Sequence, residues 1–149
     1  MARFPSVDWF EAVGRALAAD RERLRRLGYV DATVGVRIDD GSSVNGFVLE
    51  FGAYGIKRVR QTDTPETDAD FTIAGSGAAW REMVENIRAN GEADLNHTLN
   101  RLTMAGTPLK VVAADQLQED LFFRFNQSLQ ALFDASASIE TEFGALAPA

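Results

Sequence analysis

The chain has 149 residues, 46% of them hydrophobic and 25% charged, and 22 acidic side chains against 15 Lys and Arg give a net charge of −7. That length is enough for one domain with a core of its own, here residues 1–149. The acidic balance argues against nucleic acid and against docking on anionic lipid, because both need a basic footprint.

Ser6 is placed to cap a helix carrying Trp9, Phe10, Val13 and Leu17 on one side. Asp20 would fall among them, so the helix is expected to break there and a short second segment to run to Gly28. From Tyr29 the period changes from 3.6 to 2. Val30, Ala32, Val34, Val36 and Ile38 alternate with Asp31, Thr33, Gly35, Arg37 and Asp39. Asp40-Gly41-Ser42-Ser43 then turns the chain into a second strand bearing Phe47, Leu49 and Phe51 on one face. Gly52-Ala53-Tyr54-Gly55 turns it again into a cationic strand, Ile56 to Gln61, suited to an edge.

Thr62 to Thr67 reads as a loop and Ala69 to Ala74 as a short fourth strand. Ser76 caps a helix with Trp80, Met83, Val84 and Ile87 on one arc, stopped by Asn90-Gly91. A brief turn gathers Leu95, Leu99 and Leu102. Met104 to Val112 reads as a fifth strand, held to an edge or bulge by Pro108. The order predicts an α+β fold: a five-stranded, mainly antiparallel sheet with helices packed on one face.

The closing helix, Asp115 to Phe133, carries the widest apolar stripe. At about 100° per residue, Leu117, Leu121, Phe122, Phe125, Leu129, Leu132 and Phe133 share an arc of roughly 160°. Glu119, Asp120, Arg124, Asn126, Gln127, Gln130 and Asp134 take the other side, with Phe123 alone among them. Folding gives Phe123 nowhere to be buried, which marks it as a contact surface. After Asp134 the chain is expected to be loosely held, from about residue 135.

Chemistry-bearing patterns are few. The single histidine, His97, is expected to point away from the leucines, toward water, and to be dispensable. One His with one carboxylate falls short of a metal site, and with no cysteine there is no disulfide, thiol nucleophile or thiolate ligand. Asp39-Asp40-Gly41 lacks the oxygen ligand and glycine a calcium loop needs at its third and sixth positions. Gly75-Ser76-Gly77 has no Walker lysine. No cofactor or metal is therefore expected. A buried carboxylate on an apolar substrate would point to an enzyme, with Glu50, Asp68 and Asp70 as candidates.

What remains is a set of bulky apolar side chains on elements that should meet over one sheet face. Phe47, Leu49 and Phe51 come from the sheet and Trp80, Met83 and Ile87 from the middle helix. Met104, Leu121, Phe122, Phe125 and Leu129 come from the end. They either line an adaptable apolar pocket or fill a core. No run approaches the ~18 apolar residues of a membrane span, so stable insertion is not expected. No apolar stretch behind Met1 to Ser6 resembles an export signal, and the cytoplasm is the expected location. Thirteen Arg against two Lys suits a GC-rich bacterial gene.

The hairpin V-G-V-R-I-D-D-G through G-F-V-L-E-F-G, the stretch D-A-D-F-T-I-A-G-S (Asp68 to Ser76), the capped helix with Trp80, and L-T-M-A-G-T-P-L-K-V-V before an amphipathic closing helix together resemble the sterol carrier protein type 2 family. The resemblance covers about Leu27 to Phe133. It implies a five-stranded sheet covered by helices, with an apolar tunnel between the layers lined by the residues just named. It further implies binding or transfer of an acyl-chain-like or sterol-like lipid without catalysis. Thr107-Pro108 departs from the family's uninterrupted strand, and the C-terminal A-L-A-P-A is not a peroxisomal S-K-L address. An enzyme with a cupped sheet, or a filled domain acting by homodimerisation or by docking an enzyme, are the alternatives.

Overall fold

Alternating apolar and polar residues set five strands side by side, and the amphipathic helices close over the apolar side. The computed structural model describes residues 2–28, 31–41, 43–52, 55–104 and 106–143. The elements are β1 (Ala2–Phe4), α1 (Val7–Ala19), α2 (Arg21–Leu27), β2 (Thr33–Asp40), β3 (Ser43–Gly52), β4 (Gly55–Gln61) and α3 (Pro65–Asp68). They continue with β5 (Phe71–Ser76), α4 (Gly77–Asn90), α5 (Leu99–Leu102), β6 (Lys110–Val112), α6 (Gln116–Asp134), a 3-10 turn (Ala135–Ser138) and β7 (Thr141–Phe143). The strand start expected at Tyr29 and Val30, the turn residues Ser42, Ala53 and Tyr54, Ala105 and residues 144–149 lie outside the described residues.

Helix boundaries follow side-chain caps. Ser6 Oγ accepts from the Trp9 N–H at 3.0 Å, Ser76 Oγ from Ala79 at 3.1 Å and Asp115 Oδ1 from Gln118 at 2.9 Å. Asp20 ends α1 and starts α2, accepting from the Arg23 N–H at 3.1 Å. Each satisfies one of the N–H groups a helix start leaves without a partner. Gly91 closes α4 at φ +83°, a left-handed conformation that glycine adopts freely.

The main sheet has the order β4-β3-β2-β5-β6. In the β2–β3 hairpin Val36 stands opposite Phe47 and Val34 opposite Leu49. In the β2–β5 pair Val34 stands beside Phe71 and Val36 beside Ile73. These apolar residues share the face that α1, α4 and α6 cover. The β2–β5 pair is parallel and the other three pairs are antiparallel, so the sheet is mixed but mainly antiparallel, an α+β fold.

The parallel pair has a topological cause. β4 forms one edge and β5 lies beyond β2, so the chain must cross the sheet between them. It does so along the face away from the large helices, through α3, which touches β2, β3 and β5. A face that should otherwise meet water is thereby partly covered. Val48, Thr72 and Pro65 are buried there. The crossing runs so close that a Cβ on Gly46 would collide with the Thr62 carbonyl and the Pro65 ring.

Three expectations need correction. Leu95 is 87% exposed, because the leucine turn begins only at Leu99 and Leu95 lies in the loop before it. The fifth strand is Lys110–Val112 alone. Before it, the Thr107 hydroxyl donates to the Leu102 carbonyl at 2.6 Å and holds the chain in a turn. The stretch after Asp134 is not loosely held as far as Phe143. β7 pairs in parallel with β1, Ala2 beside Thr141 and Phe4 beside Phe143. The Phe143 ring stands edge-on to Phe4, with the Arg81 guanidinium 4.7 Å from its centre.

A buried hydrogen bond fixes this small sheet to the core: the Trp9 indole N–H donates to Thr141 Oγ1 at 3.1 Å. Thr141→Val keeps the shape and leaves that N–H without an acceptor. It is expected to cost about 1–3 kcal/mol, read as a lower denaturant midpoint with an unchanged slope. An unchanged midpoint would mean that β7 is not docked on Trp9 in solution.

Candidate functional site

The space between the sheet and the helices is filled by aromatic rings in contact. Trp9 and Phe10 from α1 stand edge to face at 5.0 Å, and Phe10 meets Phe47 of β3 at 5.0 Å. Phe133 at the end of α6 touches Trp9 at 6.2 Å, Phe10 at 6.3 Å and Trp80 of α4 at 5.6 Å. Further along α6, Phe122 stands edge-on to Phe71 of β5 at 5.8 Å. Trp80 satisfies its indole N–H on the Arg37 carbonyl at 3.1 Å.

Of the residues expected to line a pocket, Phe47, Leu49, Phe51, Trp80, Met83, Ile87, Phe122 and Leu129 are buried in this one cluster. Leu121 and Phe125 are half-buried against it. Met104 is not part of it: it is 50% exposed, carried outward in the loop that replaces the expected strand. Sequence reasoning missed Trp9, Phe10, Phe71 and Phe133 as members of this layer. Each was legible as an inward position on its own element, and only the topology brings all four together.

α6 is anchored unevenly. From Ser128 to Asp134 most positions are buried, whereas before Phe125 only Phe122 is. Leu117, first in the expected stripe, is 77% exposed because the helix begins beyond the edge of the helical layer. At the other side of the stripe, about 20° past Phe133, Asn126 is half-buried, and its Oδ1 is buried without a hydrogen-bond partner among the described residues. Asp134, expected in water, is buried. Its Oδ1 accepts from the Ala93 N–H at 3.0 Å and from Gln130 at 2.9 Å, and Oδ2 lies 3.6 Å from Arg23. Gln130 in turn accepts from the Leu99 N–H at 2.7 Å.

The candidate catalytic carboxylates lie outside the aromatic layer. Asp68 pairs with Arg60 at 2.9 Å and Glu50 with Arg58 at 3.8 Å. Asp70 accepts from the Thr33 N–H at 2.8 Å and fastens β5 to the start of β2. On the same sheet face Arg37 bonds Glu66 at 2.9 Å and Asp39 at 3.0 Å. Glu66 first, then Asp39, raise the guanidinium pKa above its ordinary value.

Open grooves border the surface elsewhere. One of about 430 Å³ runs between α1 and β4, past Gly14, Arg15, Ile56 and Lys57. Another of about 530 Å³ lies between β1 and α1, and one of about 450 Å³ beside Asp134. A fourth, about 240 Å³, is bordered by Met104 and Phe123. None of these four is lined by the buried residues of the aromatic layer. Among the described residues no cluster of three metal-ligating side chains occurs, and no helix is long and apolar enough to cross a membrane.

A crystal structure of sterol carrier protein 2 superposes over 91% of this chain and 98% of its own, with a TM-score of 0.66 and 16% identity. In fold, the chain is similar to sterol carrier protein 2. A conserved hypothetical protein of Thermus thermophilus, suggested in its description to be a sterol carrier protein, gives 0.66 at 14% identity over 92% of this chain and 90% of its own. The apo form of Yarrowia lipolytica sterol carrier protein 2 gives 0.50 at 14% identity, covering 87% and 90% of the two chains. No family model matches the sequence, and no curated protein matches it significantly. At these identities the likeness lies in the fold.

His97 is more engaged than expected. Nδ1 lies 2.7 Å from Asp94 Oδ1, and Nε2 lies 3.8 Å from Glu82. This bond first, and Asn86 second, hold the Asp94 carboxyl below its ordinary pKa. A lowered carboxyl stabilises the fold above its ordinary titration range, and that contribution is lost as pH falls through the lowered value. His97→Ala should therefore move the Asp94 carboxyl titration upward by NMR and flatten the acid limb of stability against pH. The neutral-pH fold should remain intact, as a surface pair implies. An Asp94 titration unmoved by the substitution would mean that the His97 contact does not persist in solution.

Proposed function

We propose that this protein binds or transfers an apolar small molecule, acyl-chain-like or sterol-like, without catalysis, and that the ligand lodges between α6 and the sheet. The observation that carries the reading is the aromatic layer of Phe71, Phe122, Trp80 and Phe133 beneath a helix whose burial is concentrated toward its C-terminal end. Side chains fill that layer, so a ligand has to part them. The N-terminal half of α6, with Phe122 as its one fully buried residue before Phe125, is the segment with least to lose by lifting. The C-terminal half stays with Asp134, Gln130 and Phe133.

Phe47, Leu49, Phe51, Met83, Ile87, Leu121, Phe125 and Leu129 are the further side chains a bound chain would touch. The non-catalytic part of the reading is supported by Glu50, Asp68 and Asp70, each engaged with a cation or a backbone N–H away from this layer. Similarity of fold to sterol carrier protein 2 supports the ligand class.

Displacement of a fluorescent fatty acid by saturated acids of increasing length tests the proposal. Saturable binding is expected, tightening about fourfold per methylene at ~0.8 kcal/mol each until the layer is full. Hydrogen exchange should slow in residues 116–125 when ligand is bound. Absence of saturable displacement at every length would leave the layer as a core and overturn the proposal.

A further inference from the structure

The apolar edge of the sheet at β6 is exposed, and nothing within the described chain covers it. β6 ends the sheet order, so its outer side has no strand neighbour. Beside it lies the groove of about 240 Å³ lined by Met104, Leu109, Val111, Lys110, Glu119 and Phe123. Phe123 is 59% exposed and Met104 50%, while Val112, on the other face of the same strand, is 42% exposed. Apolar side chains thus flank both sides of one strand edge. Phe123 is held in place from behind, edge-on to Phe122 at 5.3 Å, so presenting it costs little ordering.

We infer that this edge is the contact between two copies of this chain, related by a twofold axis near Val111. The charge pattern selects a second copy as the occupant. Lys110 and Glu119 border the same groove, and neither has an ion-pair partner among the described residues. In a twofold contact residue i of each copy meets residue j of the other, so one free cation and one free anion are satisfied twice. Lys110 then faces the partner's Glu119, and the reverse. Phe123 and Met104 pack across the axis, aromatic and Met side chains being those enriched where interfaces are dry. The net charge of −7 per copy opposes association only over the ~8 Å that salt leaves unscreened.

Sedimentation equilibrium of the whole chain from about 1 to about 200 µM tests this, the range in which a small interface dissociates. The wild type should pass from monomer to dimer mass. Phe123→Glu should remain monomeric throughout, with its thermal midpoint near the wild type's. Lys110→Glu and Glu119→Lys should each weaken association at least tenfold. An equimolar mixture of those two variants should dimerise better than either alone, and the double variant should recover wild-type behaviour. The charge-swap pair keeps the test sharp even if Phe123→Glu fails to fold. A wild type of monomer mass across the range overturns the proposal, and so does a double variant no better than its parents. Fatty-acid displacement on Lys110→Glu separates this surface from the interior site: Lys110 lies on β6, outside the α6 segment that lifts, so binding there should be unchanged.

Discussion

The contact on which the rest of the structure depends is the Phe133 ring held among Trp9, Phe10 and Trp80. It joins three helices far apart in sequence, and through Phe10 and Trp80 it reaches β3 and β2 of the sheet. Without it α6 would keep only one aromatic contact with the sheet, that of Phe122 with Phe71, and its C-terminal end would have none. The neighbouring Asp134 secures the same end by polar means, accepting from the backbone at Ala93 and pairing with Arg23. A buried carboxylate is tolerated there because each oxygen has a partner, and removing one would leave a charge in a dry place.

The two faces of the sheet are built differently. The helical face gathers rings that are large, rigid and weakly specific in whom they touch. The opposite face is stitched by ion pairs, Arg37 with Glu66 and Asp39, and Arg60 with Asp68, over a thin buried strip of Val48, Thr72 and Pro65. Exposed pairs add little stability individually. Their arrangement does fix the α3 crossing against β2 and β4, and that crossing is what makes the β2–β5 pair parallel.

Much of this was legible in the residues. Periodicities of 3.6 and 2 located four of the five sheet strands, and Ser6, Asp20 and Ser76 marked helix starts that their own side chains then make. Hydrophobic pattern also led to the sterol carrier protein fold. What it did not reveal were the facts that depend on what lies opposite. Asp134 looks like a water-facing residue on a wheel and is buried by elements distant in sequence, and Asn126 is half-buried with its amide oxygen enclosed, while Leu117 and Leu95 look buried and have nothing to lie against. β1 and β7 are three residues each, too short for a period, and neither is a strand without the other.

That last pair has a consequence for how the chain acquires its structure. Joining Ala2 to Thr141 closes a loop through nearly the whole polypeptide, at an entropic cost on the order of 4 kcal/mol from length alone. The β2–β3 hairpin closes over a few residues and can form early, whereas the terminal clasp can form only once α1 and α6 already hold their ends together. The clasp thus spans the longest sequence separation of any described strand pair, and it needs α1 and α6 in place before its own contacts can form. Its order at the two ends reports on the integrity of everything between them.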